Sequence, residues 1–226
     1  MNNISCIIPA HNEAARIGRV LEATATHPLI SEVIVVDDAS TDGTSDVVRR
    51  YPHATLIVHP KNKGKSKAIH TGVQNATGKF LFFLDSDLIG LTKENISDLI
   101  RPIIENKADI SISLRRNAPS PWHWIGIDYI SGERVLPRSL VVEHLDQIDT
   151  LHGFGLEVFL NSIIIRRRLR IKIVQWPNVD SPFKHAKHGL WAGIRGEARM
   201  MLHIFRTVGI FTPLAQIAKM MQLKVK

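Results

Sequence analysis

Two aspartates stand one residue apart after an apolar run in the segment FLFFLDSDLIG, residues 80–90. In an extended strand, side chains alternate between the two faces, so Asp85 and Asp87 point to the same side. Two carboxylates held close together repel each other, and a cation between them relieves that repulsion. The pair therefore predicts a divalent metal that holds phosphate groups, although a solvated turn after a strand would use the same residues.

Composition defines the broad class of protein. The chain has 226 residues, of which 44% are hydrophobic, enough for one large domain with a sizeable core. No stretch approaches the roughly 18 apolar residues of a membrane span, and the N-terminus lacks the pattern of a signal peptide. The single Cys6 lies in an apolar strand pattern, which indicates a buried thiol rather than a disulfide. These features predict a cytoplasmic protein.

Charge is distributed unevenly along the chain. Residues 161–226 contain 13 Lys and Arg but 2 Asp and Glu, a net charge of 13 − 2 = +11. Residues 1–160 contain 16 Lys and Arg and 19 Asp and Glu, a net charge of 16 − 19 = −3. This asymmetry predicts that the C-terminal end meets an anionic surface, either lipid headgroups or nucleic acid.

Strand and helix patterns alternate along the first half of the chain. Such alternation is typical of an α/β domain with a largely parallel sheet, whose ligands bind outside the carboxyl ends of the strands. The predicted helices cover residues 13–26, a segment that ends near residue 51, residues 65–75, and a segment from Thr92 towards residue 106. The predicted strands are Ile4–Pro9, Glu32–Asp37, Thr55–His59, Lys79–Leu84 and Ile110–Leu114.

A polar cluster follows each of the first four predicted strands. The clusters are PAHNE, DDASTDGT, PKNKGKSKA and DSD, and parallel strands would bring them to one edge of the sheet. NKGKSKA lacks the spacing of a P-loop, and no G-x-G-x-x-G follows the first strand, so a dinucleotide site is not expected. Lys65 and Lys67, at a predicted helix start, are placed to meet phosphate.

Taken in order, IIPAHNE, VVDDASTDGT, NKGKSKA and FLDSD resemble the donor-binding half of family 2 glycosyltransferases. The resemblance covers residues 4 to about 115 and implies the GT-A fold, which is Rossmann-like, with a mostly parallel sheet and helices on both faces. It implies a UDP- or GDP-type sugar donor, with Mn²⁺ or Mg²⁺ held by Asp85 and Asp87 against the diphosphate. The residues that it implies for the nucleotide sugar are Pro9, Ala10, His11, Glu13, Asp38, Lys65, Asp85 and Ser86.

Two motifs in the second half extend the resemblance. SGERVLPRS, residues 131–139, and HGFGLEVFLN, residues 152–161, resemble the acceptor loop and the Gly-x-Gly-x-Glu segment of such enzymes. Glu157 would then be the base towards the acceptor hydroxyl; alternatively it only complements a helix dipole, worth about 0.3–1 kcal/mol. Many members have a Glu-Asp pair where this chain has Glu157-Val158, so both roles stay open. The implied acceptor-binding residues are Gly132, Arg134, Gly153 and Gly155.

The phrase GFGLE also resembles retaining glucosyl-3-phosphoglycerate synthases, in which a downstream histidine joins the metal shell. Here PFKHAKHG offers His185 as the stronger candidate ligand and His188 as the weaker one. A histidine beside two carboxylates favours Mn²⁺ over Mg²⁺. Two histidines in a basic loop are equally typical of a protein surface, so the stereochemistry of transfer is not predicted.

Residues 191–226 are expected to form a basic amphipathic tail. Thr212-Pro213 predicts the start of a second helix after the one that begins near Trp191. An apolar stripe flanked by arginine fits a helix that lies in a membrane interface, and packing on the same domain or in a homodimer is the alternative. Nucleic acid is not expected, because no recognition motif accompanies the basic residues. The stripe consists of Ile194, Ala198, Met201, Phe205 and Val208, and the arginines are Arg195, Arg199 and Arg206.

The sequence thus predicts a metal-dependent transferase that moves sugar from a nucleotide-diphosphate sugar to a lipid-linked or phosphorylated acceptor at the cytoplasmic membrane surface. Residues 1–115 would bind the donor, residues 116–190 the acceptor, and residues 191–226 would form the tail. One alternative is a soluble retaining transferase that makes a small phosphorylated glycoside. A sugar-1-phosphate nucleotidyltransferase is disfavoured, because PAHNEAARIG lacks the Gly-rich, Arg-containing loop of that chemistry. A non-catalytic membrane-binding module would not need Asp85 and Asp87.

Overall fold

The computed structural model describes residues 3–151, 153, 155–182 and 211–225. A seven-stranded sheet runs through these residues in the order β3-β2-β1-β4-β6-β5-β7. All neighbouring strands are parallel except β6, which is antiparallel to both β4 and β5. The strands are β1 Ile4–Ala10, β2 Glu32–Asp37, β3 Ala54–Val58, β4 Phe80–Phe83, β5 Ile110–Arg115, β6 Arg134–Pro137 and β7 Ile171–Trp176.

Helices cover both faces of the sheet, as the alternating pattern predicts. Consecutive residues of β1 and β4 contribute to different hydrophobic clusters, Ile7 and Leu81 to one and Ile8 and Phe82 to the other. The two central strands are therefore buried on both faces, which explains their continuous apolar sequences. The helices are α1 Ile17–Thr24, α2 Thr44–Val48, α3 Lys65–Asn75, α4 Lys93–Ile104, α5 Ser120–Ile125, α6 Arg138–Val142, α7 Leu145–Asp149, α8 Gly155–Arg166 and α9 Phe211–Gln222.

The predicted elements differ from the structure most clearly at the start of α1 and at β6. Helix α1 begins at Ile17 rather than at Glu13, because the Glu13 carbonyl first accepts turn hydrogen bonds from Arg16 and Ile17. Helix α4 begins after Thr92, as predicted, and Thr92 and Asn95 cap each other's backbone there. Strand β6 was absent from the prediction, since four residues are too short to show a clear period.

The end of the chain belongs to the domain. Ile217 and Met220 of α9 are buried in the same hydrophobic cluster as α8, and the Ile171 amide donates to the Leu223 carbonyl at 2.9 Å. Residues 211–225 therefore pack one apolar side on the domain, which is one of the alternatives that the sequence left open for the tail. The division of the chain at residues 115 and 190 stays a prediction. The predicted stripe in residues 191–209 lies outside the described residues. Within the described part of the chain, no helix has the length and apolar character to cross a bilayer.

Candidate active site

A cavity of about 420 Å³ opens where the carboxyl ends of β1, β2 and β4 meet. Loops after these strands line it, as expected for a largely parallel sheet. Every residue that the sequence predicts for the nucleotide sugar borders this cavity, together with Asp87 and Glu157. The predicted donor residues on its wall are Pro9, Ala10, His11, Glu13, Asp38, Lys65, Asp85 and Ser86.

The loop after β1 is fixed by the polar segment after β2. The Glu13 amide donates to Thr44 Oγ1 at 2.8 Å, and the Ala14 amide donates to Asp42 Oδ2 at 3.0 Å. His11 Nδ1 lies 2.8 Å from the Asp38 carbonyl oxygen. The two motifs PAHNE and DDASTDGT thus form one hydrogen-bonded wall rather than two independent turns.

Asp38 anchors the loop that leads into α3. Its carboxylate accepts hydrogen bonds from the amides of Lys63 at 2.9 Å and Gly64 at 2.6 Å, and it lies 2.7 Å from His59 Nδ1. Gly64 has φ +91°, a conformation that glycine adopts without strain. Asp38 is 3% exposed, so its first role is to place Lys65, the first residue of α3, beside the cavity.

Lys65 joins the aspartate motif to the predicted base. Its Nζ lies 2.7 Å from Asp85 Oδ1 and 3.2 Å from Glu157 Oε1. Burial alone would lower the pKa of Lys65, but Asp85 and Glu157 raise it above its ordinary value, so the ammonium stays charged. Burial alone would likewise raise the pKa of Asp85, but Lys65 and then Arg115 hold it below its usual range.

Asp87 has the opposite electrostatic environment. Burial, followed by repulsion from Asp85 and Glu13, raises the pKa of Asp87 to about 6. Its nearest described hydrogen-bond donor is the Ser181 hydroxyl, at 3.4 Å from Oδ2. The carboxylate is therefore short of positive charge, which a divalent cation would supply.

The donor set fits a divalent cation that takes its remaining ligands from phosphate and water. Within residues 3–151, 153, 155–182 and 211–225, no group of three or more His, Cys, Asp and Glu side chains forms a metal cage. Two carboxylates at a phosphate site are the usual protein share for Mg²⁺, whose other ligands come from substrate and solvent. The predicted ligand His185 and its neighbour His188 lie outside the described residues.

Glu157 occupies the first turn of α8, at the back of the cavity. It is 3% exposed, and its Oε2 has no hydrogen-bond partner among the described residues. A buried carboxylate oxygen without a donor is costly, so a ligand hydroxyl in the cavity would satisfy it. Glu157 lies on the cavity wall, and its role as base towards the acceptor hydroxyl stays a prediction.

The predicted acceptor residues do not form one group. Gly132 lies against the side chain of Asp85, so a Cβ on Gly132 would be 2.7 Å from both Asp85 carboxylate oxygens. Arg134 is buried at the start of β6, where Nη1 donates to Asn161 at 3.2 Å and Nη2 to the Ser131 carbonyl. Gly153 is exposed with φ +57°, and Gly155 is the buried first residue of α8.

Arg134 is therefore placed to position Glu157 rather than to face the open cavity. Both residues line a small space of about 10 Å³, close to the volume that one water molecule requires. Arg134 Nε and Glu157 Oε2 both lack a hydrogen-bond partner within the described ranges. The arrangement makes Arg134 a structural support of the site.

Sequence reasoning missed a buried charged group on the acceptor side. Arg115, at the end of β5, lies 3.4 Å from Asp128 and 3.5 Å from Glu133, and both carboxylates are fully buried. Burial raises the pKa of Asp128 and of Glu133, whereas the two carboxylates raise the pKa of Arg115 against the effect of burial. The signal was available, because RRN follows the fifth predicted strand as polar clusters follow the first four.

The mostly parallel sheet with helices on both faces has the architecture of the GT-A fold, and sequence comparison identifies the family. A model of the family described as Glycosyl transferase family 2 matches residues 5–159, so the chain belongs to this family. The glycosyltransferase GlyA of Streptococcus pneumoniae is 26% identical over 164 residues, 69% of this chain and 23% of that protein. Dolichyl-phosphate beta-glucosyltransferase ALG5D of Trichomonas vaginalis is 29% identical over 170 residues, 70% of this chain and 47% of that protein.

A third relative, 4,4'-diaponeurosporenoate glycosyltransferase of Staphylococcus aureus, is 37% identical over 101 residues, 43% of this chain and 27% of that protein. The chain spans less than half the length of each of these three relatives.

Solved structures of glucosyl-3-phosphoglycerate synthase from Mycobacterium tuberculosis share the fold. The complex with Mn²⁺, UDP and glucosyl-3-phosphoglycerate has a TM-score of 0.70 at 21% identity, covering 92% of this chain and 81% of that one. The complex with Mn²⁺, UDP-glucose and phosphoglyceric acid has a TM-score of 0.70 at 22% identity, covering 96% and 80%. At this identity the likeness confirms the predicted GT-A fold and nothing finer.

Proposed function

We propose that this chain transfers a glycosyl group from a nucleotide-diphosphate sugar to a lipid-linked or phosphorylated acceptor. The observation that carries the proposal is the convergence of the eight predicted donor residues, Asp87 and Glu157 on one cavity. A cavity of about 420 Å³ lies within the size range of small-molecule sites.

Charge on the donor diphosphate is met from two sides. A divalent cation held by Asp85 and Asp87, Mn²⁺ or Mg²⁺, would neutralise the charge that develops on the leaving diphosphate. Lys65, at the N-terminal end of α3, adds an ammonium group and a helix terminus that favour the same anion. Lys65 already bridges Asp85 and Glu157, so its contact with Asp85 would loosen as it turns to phosphate.

Glu157 is proposed to receive a hydrogen bond, and in the reaction a proton, from a hydroxyl group in the cavity. Its Oε1 is held by Lys65 at 3.2 Å, which leaves the buried Oε2 to accept. General-base assistance of this kind contributes roughly 10²–10⁴-fold to a rate. Lys65 orients the carboxylate and Arg134 supports it from behind.

The names of the relatives support the acceptor class. One relative is a dolichyl-phosphate glucosyltransferase and another acts on diaponeurosporenoate, so both are named for lipid acceptors. The structural neighbours were solved with phosphoglyceric acid or its glucosyl product. We therefore propose a lipid-linked acceptor reached from peripheral contact with the membrane, and a small phosphorylated acceptor as the second candidate.

Donor binding is the first experiment. Thermal stabilisation would be measured with UDP- and GDP-sugars in the presence of Mn²⁺, Mg²⁺ or EDTA, followed by an assay of donor hydrolysis. We expect stabilisation by one nucleotide sugar that requires the metal and disappears in Asp87→Ala. Asp98→Asn, an exposed carboxylate on α4, is the matched control and should behave as wild type. Metal-independent binding, or binding that Asp87→Ala leaves unchanged, would contradict the metal assignment.

The acceptor is tested with the donor that this screen identifies. Transfer to a polyprenyl phosphate in detergent would be compared with transfer to 3-phosphoglycerate. Glycosylated polyprenyl phosphate supports the lipid acceptor, and glycosylated phosphoglycerate supports the second candidate. Donor hydrolysis without transfer to either compound would contradict both acceptor proposals while leaving the donor site in place.

A further inference from the structure

Helix α9 is apolar on two sides. Ile217 and Met220 face the core and are at most 8% exposed. On the outer side, Leu214 and Met221 are 59% and 37% exposed, and the exposed Ala218 lies between them. Residues 214, 218 and 221 have the i, i+4, i+7 spacing of one helix stripe. A helix that served only to cover its own core would present polar residues along that outer side.

A further exposed apolar residue lies on α5. Trp124 is 87% exposed, whereas Trp122 is 3% exposed and packs against Tyr129. The end of α5 is tied to the segment that follows α9, because Lys224 Nζ donates to the Gly126 carbonyl at 3.0 Å. Two elements that are distant in sequence are thus linked, and each exposes apolar side chains.

The two segments that carry these side chains have a positive charge. Residues 120–126 and 211–225 contain Lys219 and Lys224 and no Asp or Glu. Exposed Trp with nearby Lys is the composition of residues that sit at a membrane–water interface, with the apolar body inserted and the charge among headgroups.

We propose that Trp124 and the outer stripe of α9, residues Leu214, Ala218 and Met221, form a docking surface for anionic lipid. The surface also has a useful location, since α5 starts one residue after Pro119, which borders the candidate active site. Docking here deepens the proposed function, because a lipid-linked acceptor would be presented beside the cavity. Only the purpose of docking rests on the proposed function; the binding to lipid does not.

Binding to vesicles tests the surface directly. The full-length chain would be sedimented with phosphatidylcholine vesicles that contain or lack phosphatidylserine, at low and high salt. We expect binding to the anionic vesicles that weakens with salt. Trp124→Ser should reduce the partition constant about 10- to 100-fold. Leu214→Ser should reduce it somewhat less.

Val58→Ser is the matched control, since Val58 is 49% exposed on β3 at the far edge of the sheet. It should leave the partition constant unchanged. Wild-type protein that ignores anionic vesicles would overturn the proposal, and so would wild-type binding by both serine variants. A dimer that Trp124→Ser dissociates, without vesicle binding, would overturn it in favour of self-association.

Metal-dependent binding of the nucleotide sugar is measured on the same variants. Retained donor binding with lost vesicle binding supports the docking surface as separate from the donor site. If no nucleotide sugar binds to wild type, the proposed function fails while the vesicle result still decides the surface.

Discussion

At the scale of single residues, Asp85 and Asp87 differ more than their symmetric spacing suggests. Asp85 is neutralised by Lys65 at 2.7 Å, whereas burial and two neighbouring carboxylates raise the pKa of Asp87 to about 6. Lys65 thus compensates one member of the pair and leaves the other dependent on added charge. A cation at the proposed metal site would relieve the repulsion at Asp87, and perturbed carboxylates of this kind are common at functional positions.

The raised pKa of Asp87 predicts how stability depends on pH without metal. Between about pH 4 and pH 6 the folded state binds more protons than the unfolded state, so the free energy of unfolding falls as pH rises. The loss is complete about one pH unit above the pKa of Asp87 in the folded state, near pH 7, and amounts to about 2–3 kcal/mol. Asp87→Asn should remove this decline and be the more stable protein at pH 7, as measured by urea denaturation in EDTA.

Asp98→Asn is again the control, because Asp98 is exposed on α4 and lies beside Arg101. It should leave the pH dependence between 4 and 6 in place. Equal curves for wild type and Asp87→Asn would show that Asp87 is solvated and carries no strain.

Glu157 gives a prediction about turnover rather than stability. Glu157→Gln keeps the shape of the side chain and removes its capacity to take a proton. Turnover should fall by roughly 10²–10⁴-fold while the affinity for the nucleotide sugar changes little. Steady-state kinetics and donor binding are measured together, with the exposed Glu22→Gln on α1 as control. Near-normal turnover of Glu157→Gln would assign Glu157 an orienting role only.

At the scale of elements, the wall built by the loops after β1, β2 and β4 was predictable from the sequence, and the region around β5 and β6 was not. Strands β1, β2 and β4 are parallel, so polar residues after each of them must meet at one edge. Strand β6 runs antiparallel between β4 and β5, and a four-residue strand has no period that reveals its direction. Its position buries Glu133 and Arg134 beneath the site. The motif alone does not reveal this position, so Arg134 was predicted to bind the acceptor.

The segment before β6 supports a prediction about close packing. A Cβ on Gly132 would lie 2.7 Å from the Asp85 carboxylate oxygens and 2.8 Å from Lys65 Nζ, closer than van der Waals contact allows. Gly132→Ala should therefore displace Asp85 and weaken metal-dependent donor binding by tenfold or more, since a 1 Å displacement is enough for such losses. Isothermal titration with the nucleotide sugar and Mn²⁺ measures this change.

Gly18→Ala on α1 is the matched control for Gly132→Ala. The nearest atom to a Cβ on Gly18 is Tyr51 Oη at 3.4 Å, an ordinary contact, so its donor affinity should stay at the wild-type value. Wild-type affinity in Gly132→Ala would mean that the segment before β6 moves freely away from Asp85.

At the scale of the whole molecule, the C-terminal helix closes the core on one face of the sheet. Its core-facing residues Pro213, Ile217 and Met220 are one position away from the outer residues Leu214, Ala218 and Met221. Both sets are mostly apolar, so the sequence pattern did not indicate which side would be buried. Hydrogen bonds to the domain hold the helix in its orientation. Gln216 accepts from the Tyr129 hydroxyl at 2.7 Å, and Lys224 Nζ donates to the Gly126 carbonyl.

Two adjacent methionines make this arrangement testable. Met220 is fully buried and Met221 is 37% exposed, although both lie in the same turn of α9. Met220→Ala leaves a cavity in the hydrophobic cluster that α9 shares with α8 and should lower the free energy of unfolding by about 2–5 kcal/mol. Met221→Ala removes the same atoms from the outer side and should stay within about 0.5 kcal/mol of wild type in the absence of lipid. Urea denaturation of the two variants gives the comparison, and equal effects would mean that α9 does not pack on the domain in solution. A large difference would predict that deletion of residues 211–226 destabilises the domain, so that membrane attachment is better tested by exchanging outer residues than by truncation.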